Sequence, residues 1–325
     1  MVVGEYADGQ GFPLPTPVST GKKSRTDVQE FGLRFMTNLI ALHCDLANKT
    51  YVHSAYYAFK IADPKPRDIH KASVRDRIVH RALYRKLYPF FERRFIADSY
   101  SCRLRKGTHK ALNRFRAFVR IVGKNNTRTC WVLKCDIRKF FANIDHGVIM
   151  GILGKYIVDR DILALLGGII GSFNTEGKYG VGLPLGNLTS QLLVNIYMDE
   201  FDRFMKHGMH EKYYIRYADD FVVMSESRAH LESLVPKIGG FLKERLKLEL
   251  HPDKLFIKSF ASGVDFLGWV HFPDHRVLRT TTKKRMVRRL GVEANDAVTA
   301  SYRGLLEHGN AKKLEARYVY TIPRR

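Results

Sequence analysis

The chain has 325 residues, 45% of them hydrophobic and spread along its length, which supplies apolar material for one large core or two to three subdomains and excludes a disordered protein. Lysine and arginine number 55 against 32 acidic residues, a formal charge of +23 with a pI near 9.9, and an imbalance of that size points to a polyanionic partner, nucleic acid first. The excess gathers in two zones, 14 basic against 5 acidic residues over 61–110 and 13 against 4 over 276–325, as two walls of a groove would require. Cys44, Cys102, Cys130 and Cys135 form no C-x-x-C pair, and no signal peptide or long apolar run is present, so a reduced, cytoplasmic setting without a membrane span is expected.

Residues 1–26, rich in Gly, Pro, Ser and Thr, read as an N-terminal arm. Phe31, Phe35, Leu39, Leu42 and Leu46 then recur at steps of four and three, predicting one amphipathic helix over 28–46. Pro64 and Pro66 in D-P-K-P-R-D favour an extended, exposed basic loop between Tyr56 and His70. A helix follows, with Ile78, Val79, Ala82, Leu83 and Leu87 as its apolar stripe. Arg75, Arg77, Arg81 and Arg85 decorate the remainder, facing solvent or a phosphate backbone.

W-V-L-K-C-D-I (131–137) predicts a short buried strand, and the Gly-rich segment 177–187 leads into a helix marked by Leu192, Leu193, Ile196, Phe201, Phe204 and Met205. Tyr213–Tyr217 and Phe221–Met224 are β-prone runs separated by Ala218, Asp219 and Asp220, a hairpin with carboxylates at its tip. A helix is expected over 228–250, a strand pair over 254–272, and then a partly helical basic segment holding K-K-R-M-V-R-R (283–289). His271 and His275 have metal-like spacing, but Pro273 between them makes a turn the better reading.

An adjacent pair of aspartates is ordinarily a solvated turn. Here Y-Y-I-R-Y precedes the pair and F-V-V-M follows it, so the carboxylates project from a hairpin embedded in a core, and Asp136 ends another buried strand about eighty residues earlier. Two divalent ions roughly 3.5–4 Å apart, one at an attacking hydroxyl and one at a leaving phosphate, need such a cluster on fixed strands. Oxygen ligands suit magnesium.

At these residues the sequence resembles the reverse transcriptases, over about residues 35–320. K-C-D-I-R-K-F-F resembles that family's first catalytic motif and Tyr217-Ala218-Asp219-Asp220 its signature hairpin. The resemblance implies that Asp136 and Asp219 hold two Mg2+ ions, with Mn2+ as a substitute, helped by the main-chain carbonyl of Ile137 and less directly by Asp220. Phe141 stands where the family keeps an aromatic that excludes a ribose 2′-hydroxyl; a bulky apolar ring offers that hydroxyl neither room nor a partner. G-L-P-L-G-N-L-T-S-Q (182–191) resembles the palm loop that approaches the nascent base pair, implicating Leu185, Gly186 and Gln191 in nucleotide binding. Many members carry Gln where Leu185 stands, and L-G-N-L-T-S-Q is similar to the diversity-generating retroelement enzymes, which copy RNA with errors at adenines.

The resemblance further assigns Lys65, Arg67 and Arg75 to the incoming triphosphate and Lys254 to protonation of pyrophosphate. V-D-F-L-G-W (264–269), with Gly268 and Trp269, is similar to the primer-gripping hairpin. Arg103 and a thumb with Lys283, Lys284, Arg285, Arg288 and Arg289 would contact nucleic acid. The fold class expected is α+β, a right hand with fingers and palm and a short helical thumb: an arm at 1–26, fingers at 27–130, palm with interleaved finger elements and the primer-grip hairpin at 131–272, and the basic thumb at 273–325.

The activity expected is RNA-directed DNA synthesis. Its partners would be template RNA, a primer or cDNA, deoxynucleoside triphosphates and a small basic accessory protein, in a bacterial, archaeal or phage-encoded setting. From the length given, no nuclease or integrase domain is expected after the thumb, an expectation that leans away from a self-sufficient mobile intron protein. A group II intron maturase, a retron or phage-defence enzyme, an RNA-dependent RNA polymerase, which Phe141 opposes, and a catalytically idle RNA-binding protein are the alternatives.

Overall fold

The computed structural model describes residues 25–62, 66–292 and 296–318. The chain forms two compact units, each assembled from separated stretches: 1–96, 138–201 and 242–248 in the first, and 97–137, 202–241 and 249–325 in the second. The architecture is α+β, with antiparallel sheets.

The first unit begins with α1 (Thr26–Leu33) and α2 (Phe35–Ala47), where one continuous helix was expected. Arg34 leaves the helical region at φ −122° and ψ 40°, just after Gly32, the residue with the poorest helix propensity in the stretch. Asn38 Nδ2 donates to the Phe31 carbonyl at 3.0 Å, which satisfies an acceptor beside the break. The basic loop also proves to be more ordered than expected. Tyr57–Ile61 (β1) and Arg67–Lys71 (β2) pair antiparallel, with Phe59 opposite Ile69. Pro66 directly precedes β2, where its missing N–H costs no ladder bond.

Helix α3 (Val74–Glu92) is capped by Ser73, whose Oγ accepts from the Asp76 N–H at 3.1 Å while donating to the Asp76 carboxylate at 2.6 Å. It buries Val79, Leu83, Leu87 and Phe91.

Helix α4 (Thr108–Val122) belongs to the second unit, and Ala111, Leu112, Phe115, Phe118, Val119 and Val122 make its buried face. Strand β3 follows at Trp131–Asp136. The chain then contributes α5 (His146–Gly154), α6 (Arg160–Gly171) and most of α7 (Leu188–Arg203) to the first unit. Strands β4 (Tyr214–Tyr217) and β5 (Asp220–Ser225) form the expected hairpin. Helix α8 spans Arg228–Leu246, ending earlier than predicted because Lys247 turns left-handed at φ 50°.

The expected strand pair divides between two sheets. Phe256–Ser259 (β6) joins the sheet of order β4-β5-β3-β6, whereas Val264–Phe266 (β7), Trp269–His271 (β8) and Arg276–Leu278 (β9) form their own. His271 lies buried on β8 and the Phe272 N–H donates to the His275 carbonyl, so the histidine pair is a turn. Helices α9 (Thr280–Val292), α10 (Asp296–Leu306) and α11 (Lys312–Tyr318) complete the second unit.

Its core joins Val132, Ile215, Val222 and Met224 of the larger sheet to Phe115 and Val119 of α4, Phe266 and Trp269 of the hairpin, and Met286 and Leu290 of α9. All four of Phe221, Val222, Val223 and Met224 are buried, so β5 is covered on both faces and reads as an apolar run rather than an alternation. That packing fixes the strands on which the carboxylates stand.

Candidate active site

The carboxylates are set by strand register. Asp136 is the cross-strand partner of Asp220 at the end of the β3–β5 ladder, and the Ile137 N–H donates to the Asp219 carbonyl at 3.2 Å. The His251 N–H donates to the Asp136 carbonyl at 2.8 Å, closing the other side. Tyr217 pairs with Asp220 across the β4–β5 turn, leaving Ala218 and Asp219 as its two-residue tip. Ala218 takes φ 56°, a left-handed conformation that a side chain disfavours and surrounding structure must hold.

Arg216 does the holding. It is fully buried, donates Nη1 to the Ala218 carbonyl at 3.1 Å, and grips the buried Asp202 with Nε and Nη2, both at 2.7 Å. Its Nη2 also donates to Ser99 Oγ at 3.1 Å, and Tyr214 donates to the same Asp202 carboxylate. Neither Arg216 nor Asp202 is among the site residues expected from the sequence. The signal was an arginine inside the apolar strand run Y-Y-I-R-Y, where a charge survives only if paired.

Two lysines meet the acidic cluster: Lys254 Nζ is 2.7 Å from Asp136 Oδ1, and Lys134 Nζ is 3.4 Å from Asp220 Oδ1. Burial, reinforced by the negative charges of Asp219 and Asp136 and opposed by Lys134, pushes the Asp220 carboxyl up to about 6. Asp136 and Asp220 at the facing ends of adjacent strands, with Asp219 in the adjoining turn, are hard oxygen donors of the kind taken by the divalent cations that the family generally uses. Among the described residues no three acidic, histidine or cysteine side chains are closed around a single point; the lysines supply the neighbouring positive charge.

The remaining site expectations fall in both units. In the first, Phe141 sits in the turn Phe140–Asn143, half-buried against the buried Phe140, and its carbonyl accepts from the Leu183 N–H. The loop at 185–187 is stitched to β2. Leu185 O accepts from His70 N at 3.0 Å and Asn187 Nδ2 donates to His70 O at 2.9 Å. Gly186 has φ 104°, and a Cβ there would stand 2.9 Å from Ile69, so this close approach needs glycine. Gln191 lies in the first turn of α7, half-buried. Arg67 is exposed at the start of β2. Arg75 is engaged by Asp45 at 2.6 Å and lies over the Tyr51 ring. Lys65 lies outside the described residues.

In the second unit, Gly268 (φ 86°) turns the β7–β8 hairpin, and its carbonyl accepts from the Arg279 N–H at 3.0 Å. The Trp269 ring is only 1% exposed and serves the core. Lys283, Lys284 and Arg288 of α9 are exposed, and Arg285 and Arg289 are half-buried. Arg103 donates Nη1 to the Ser99 carbonyl at 2.9 Å. No helix among the described residues is long and apolar enough to cross a membrane.

Comparison with known proteins identifies the family. The family described as reverse transcriptase (RNA-dependent DNA polymerase) matches residues 62–271. Protein YkfC of Escherichia coli is 28% identical over 280 residues, 72% of this chain and 70% of that protein. The group II intron-encoded protein LtrA of Lactococcus lactis is 23% identical over 70% of this chain, which spans only 47% of LtrA. Among solved structures, apo telomerase from Candida tropicalis superposes with a TM-score of 0.51 at 13% identity, covering 68% of this chain and 48% of that one. At that identity the likeness establishes the fold alone, an α+β polymerase fold.

Proposed function

Because the chain belongs to the reverse transcriptase family, in the group II intron-like branch, we propose that it is an active RNA-directed DNA polymerase whose catalytic carboxylates are Asp136, Asp219 and Asp220. The observation that carries this reading is the register that sets Asp136 against Asp220, with Asp219 in the adjoining turn. In the reaction the primer 3′-oxygen bonds to the α-phosphorus of a deoxynucleoside triphosphate, the bond to pyrophosphate breaks, and the hydroxyl proton leaves to solvent.

Asp136, Asp219, Asp220 and the Ile137 carbonyl would hold two Mg2+ ions, with Mn2+ as a substitute. When bound, such ions supply positive charge for the oxygens of the attacking and leaving groups. Lys254, held at 2.7 Å by Asp136, is the proposed proton donor to departing pyrophosphate. Phe141 excludes the 2′-hydroxyl, Leu185, Gly186 and Gln191 frame the nascent pair, and Lys65, Arg67 and Arg75 bind the triphosphate. Gly268 and Trp269 through their backbone, with the Trp269 ring packed in the core, and Arg103 and the basic residues of α9 through charge, steady the primer and template RNA.

The finer assignment, also proposed, is the copying step of a diversity-generating retroelement, supported by L-G-N-L-T-S-Q at 185–191. The intron-encoded relatives favour a maturase-like role as the second reading, and a small basic accessory protein is a proposed partner. Incubation with a primed RNA, the four deoxynucleotides and Mg2+ tests the activity: full-length cDNA that disappears on chelation is expected. RNA binding without any synthesis would instead make the chain an idle RNA-binding protein of this fold.

A further inference from the structure

Four arginines line α3 in the sequence, and the structure divides them. Arg75 is paired with Asp45 at 2.6 Å and Arg77 with Asp27 at 2.5 Å, so the charge of each is already matched within the first unit. Arg81 and Arg85 are exposed, as are Lys86 and Arg93, and among the described residues none of these four has an ion-pair partner. Between Arg81 and Arg93 the one acidic residue is Glu92, which is half-buried.

A solvated helix face usually intersperses opposite charges three or four residues apart. This one places like charges at Arg81 and Arg85, an arrangement that is self-repelling unless an anion lies beside it. The opposite face buries Val79, Leu83, Leu87 and Phe91, so the cations stand on a rigid, core-anchored helix. At about 1.5 Å of rise per residue, Arg81 and Arg85 are ~6 Å apart along the axis and Arg93 is ~12 Å beyond Arg85. The Arg81–Arg85 interval is close to the separation of neighbouring phosphates on a single nucleic-acid strand, and the Arg85–Arg93 interval to about two such steps.

We propose that Arg81, Arg85, Lys86 and Arg93 form a docking track for the RNA phosphate backbone, which holds RNA by charge and without regard to base sequence. The choice of RNA among polyanions rests on the RNA-copying role proposed above. An acidic protein would fit a charged face less well, because its carboxylates carry no fixed repeat to match the helical one.

The test uses the full chain carrying Arg81→Gln, Arg85→Gln and Arg93→Gln together, with a transcribed hairpin RNA as the binding probe and a short primed RNA as the extension substrate. Hairpin affinity at about 150 mM salt is expected to fall about tenfold or more, and the salt slope to become shallower by about 2. Extension at saturating primed template should stay within about twofold, since an electrostatic contact of this kind acts on binding. Unchanged affinity and slope in the triple variant would overturn the track. As a second measurement, photo-crosslinking of thiouridine-substituted hairpin RNA to the unmodified protein should label the peptide around residues 81–93; crosslinks that consistently miss it would also overturn the proposal. A wild-type chain that binds RNA through this peptide but extends nothing would sink the polymerase reading and leave the track standing.

Discussion

Arg216 and Asp202 are both wholly buried and face each other in a two-pronged ion pair, with Nε and Nη2 each 2.7 Å from a carboxylate oxygen. The same guanidinium holds the Ala218 carbonyl, so one side chain ties the left-handed turn that bears Asp219 to the core of its unit.

Removing one partner leaves the other charge buried and uncompensated. Arg216→Met should therefore destabilise the protein by about 3–5 kcal/mol, whereas Arg216→Met combined with Asp202→Leu should cost markedly less. Urea unfolding of the two variants measures this; equal losses would mean that the pair is not the unit of stability described here.

The hairpin that bears Asp219 and Asp220 and the strand that ends at Asp136 were legible in the sequence, because the runs on either side of Asp219-Asp220 and before Asp136 are short, apolar and locally patterned. The pairing of Asp202 with Arg216 was not, since it joins a helix to a strand fourteen positions on and has no local period. Nor were the two units, whose stretches interleave: residues 242–248 belong with 138–201 through contacts such as the Tyr197 hydroxyl on the Leu246 carbonyl at 2.6 Å. The break at Arg34 and the β1–β2 pairing depend on a hydrogen bond from Asn38 and on cross-strand partners, which composition does not display.

Acid should weaken the first unit through His80. It is 2% exposed, with Nδ1 2.6 Å from Thr189 Oγ1 and Nε2 3.0 Å from His53 Nε2. Burial, aided by His53 and opposed by Asp76, lowers its pKa from the ordinary 6.5 to about 4. The unfolded chain then takes up a proton near pH 6.5 that the folded chain refuses until about pH 4. The contribution is complete above pH 6.5 and is lost as pH falls through that window, up to about 3 kcal/mol. Urea midpoints at pH 7 and pH 5 for wild type and His80→Gln give the answer; identical pH dependence in the two would remove His80 from this role.

Phe141→Ala should admit ribonucleotides by opening the space that a 2′-hydroxyl needs. The ratio of kcat/KM for a deoxynucleotide to that for the matching ribonucleotide should fall about tenfold or more. An active variant with an unchanged ratio would make Phe141 a packing residue and shift attention to Phe140.

Leu185→Gln should make copying more accurate opposite template adenine. A polar contact that positions the pair can be worth ~1–3 kcal/mol of discrimination, about ten- to a hundredfold in error rate, and leucine offers none. Sequencing cDNA made by both enzymes on one RNA decides it, and equal error frequencies at similar activity would weaken the retroelement assignment.

The central claim concerns the charges of Asp136 and Asp219, which stand at the end of the β3–β5 ladder and in the adjoining turn. Asp136→Asn and Asp219→Asn each keep size and shape while removing a negative charge from the cluster, and both leave the basic side chains of α3 and α9 unsubstituted. The decisive measurement is extension of a primed RNA template by each variant, alongside its RNA affinity. The account predicts that DNA synthesis falls at least a thousandfold, about 4 kcal/mol in the barrier, with RNA affinity within about twofold of wild type; near-normal synthesis by either variant would contradict it.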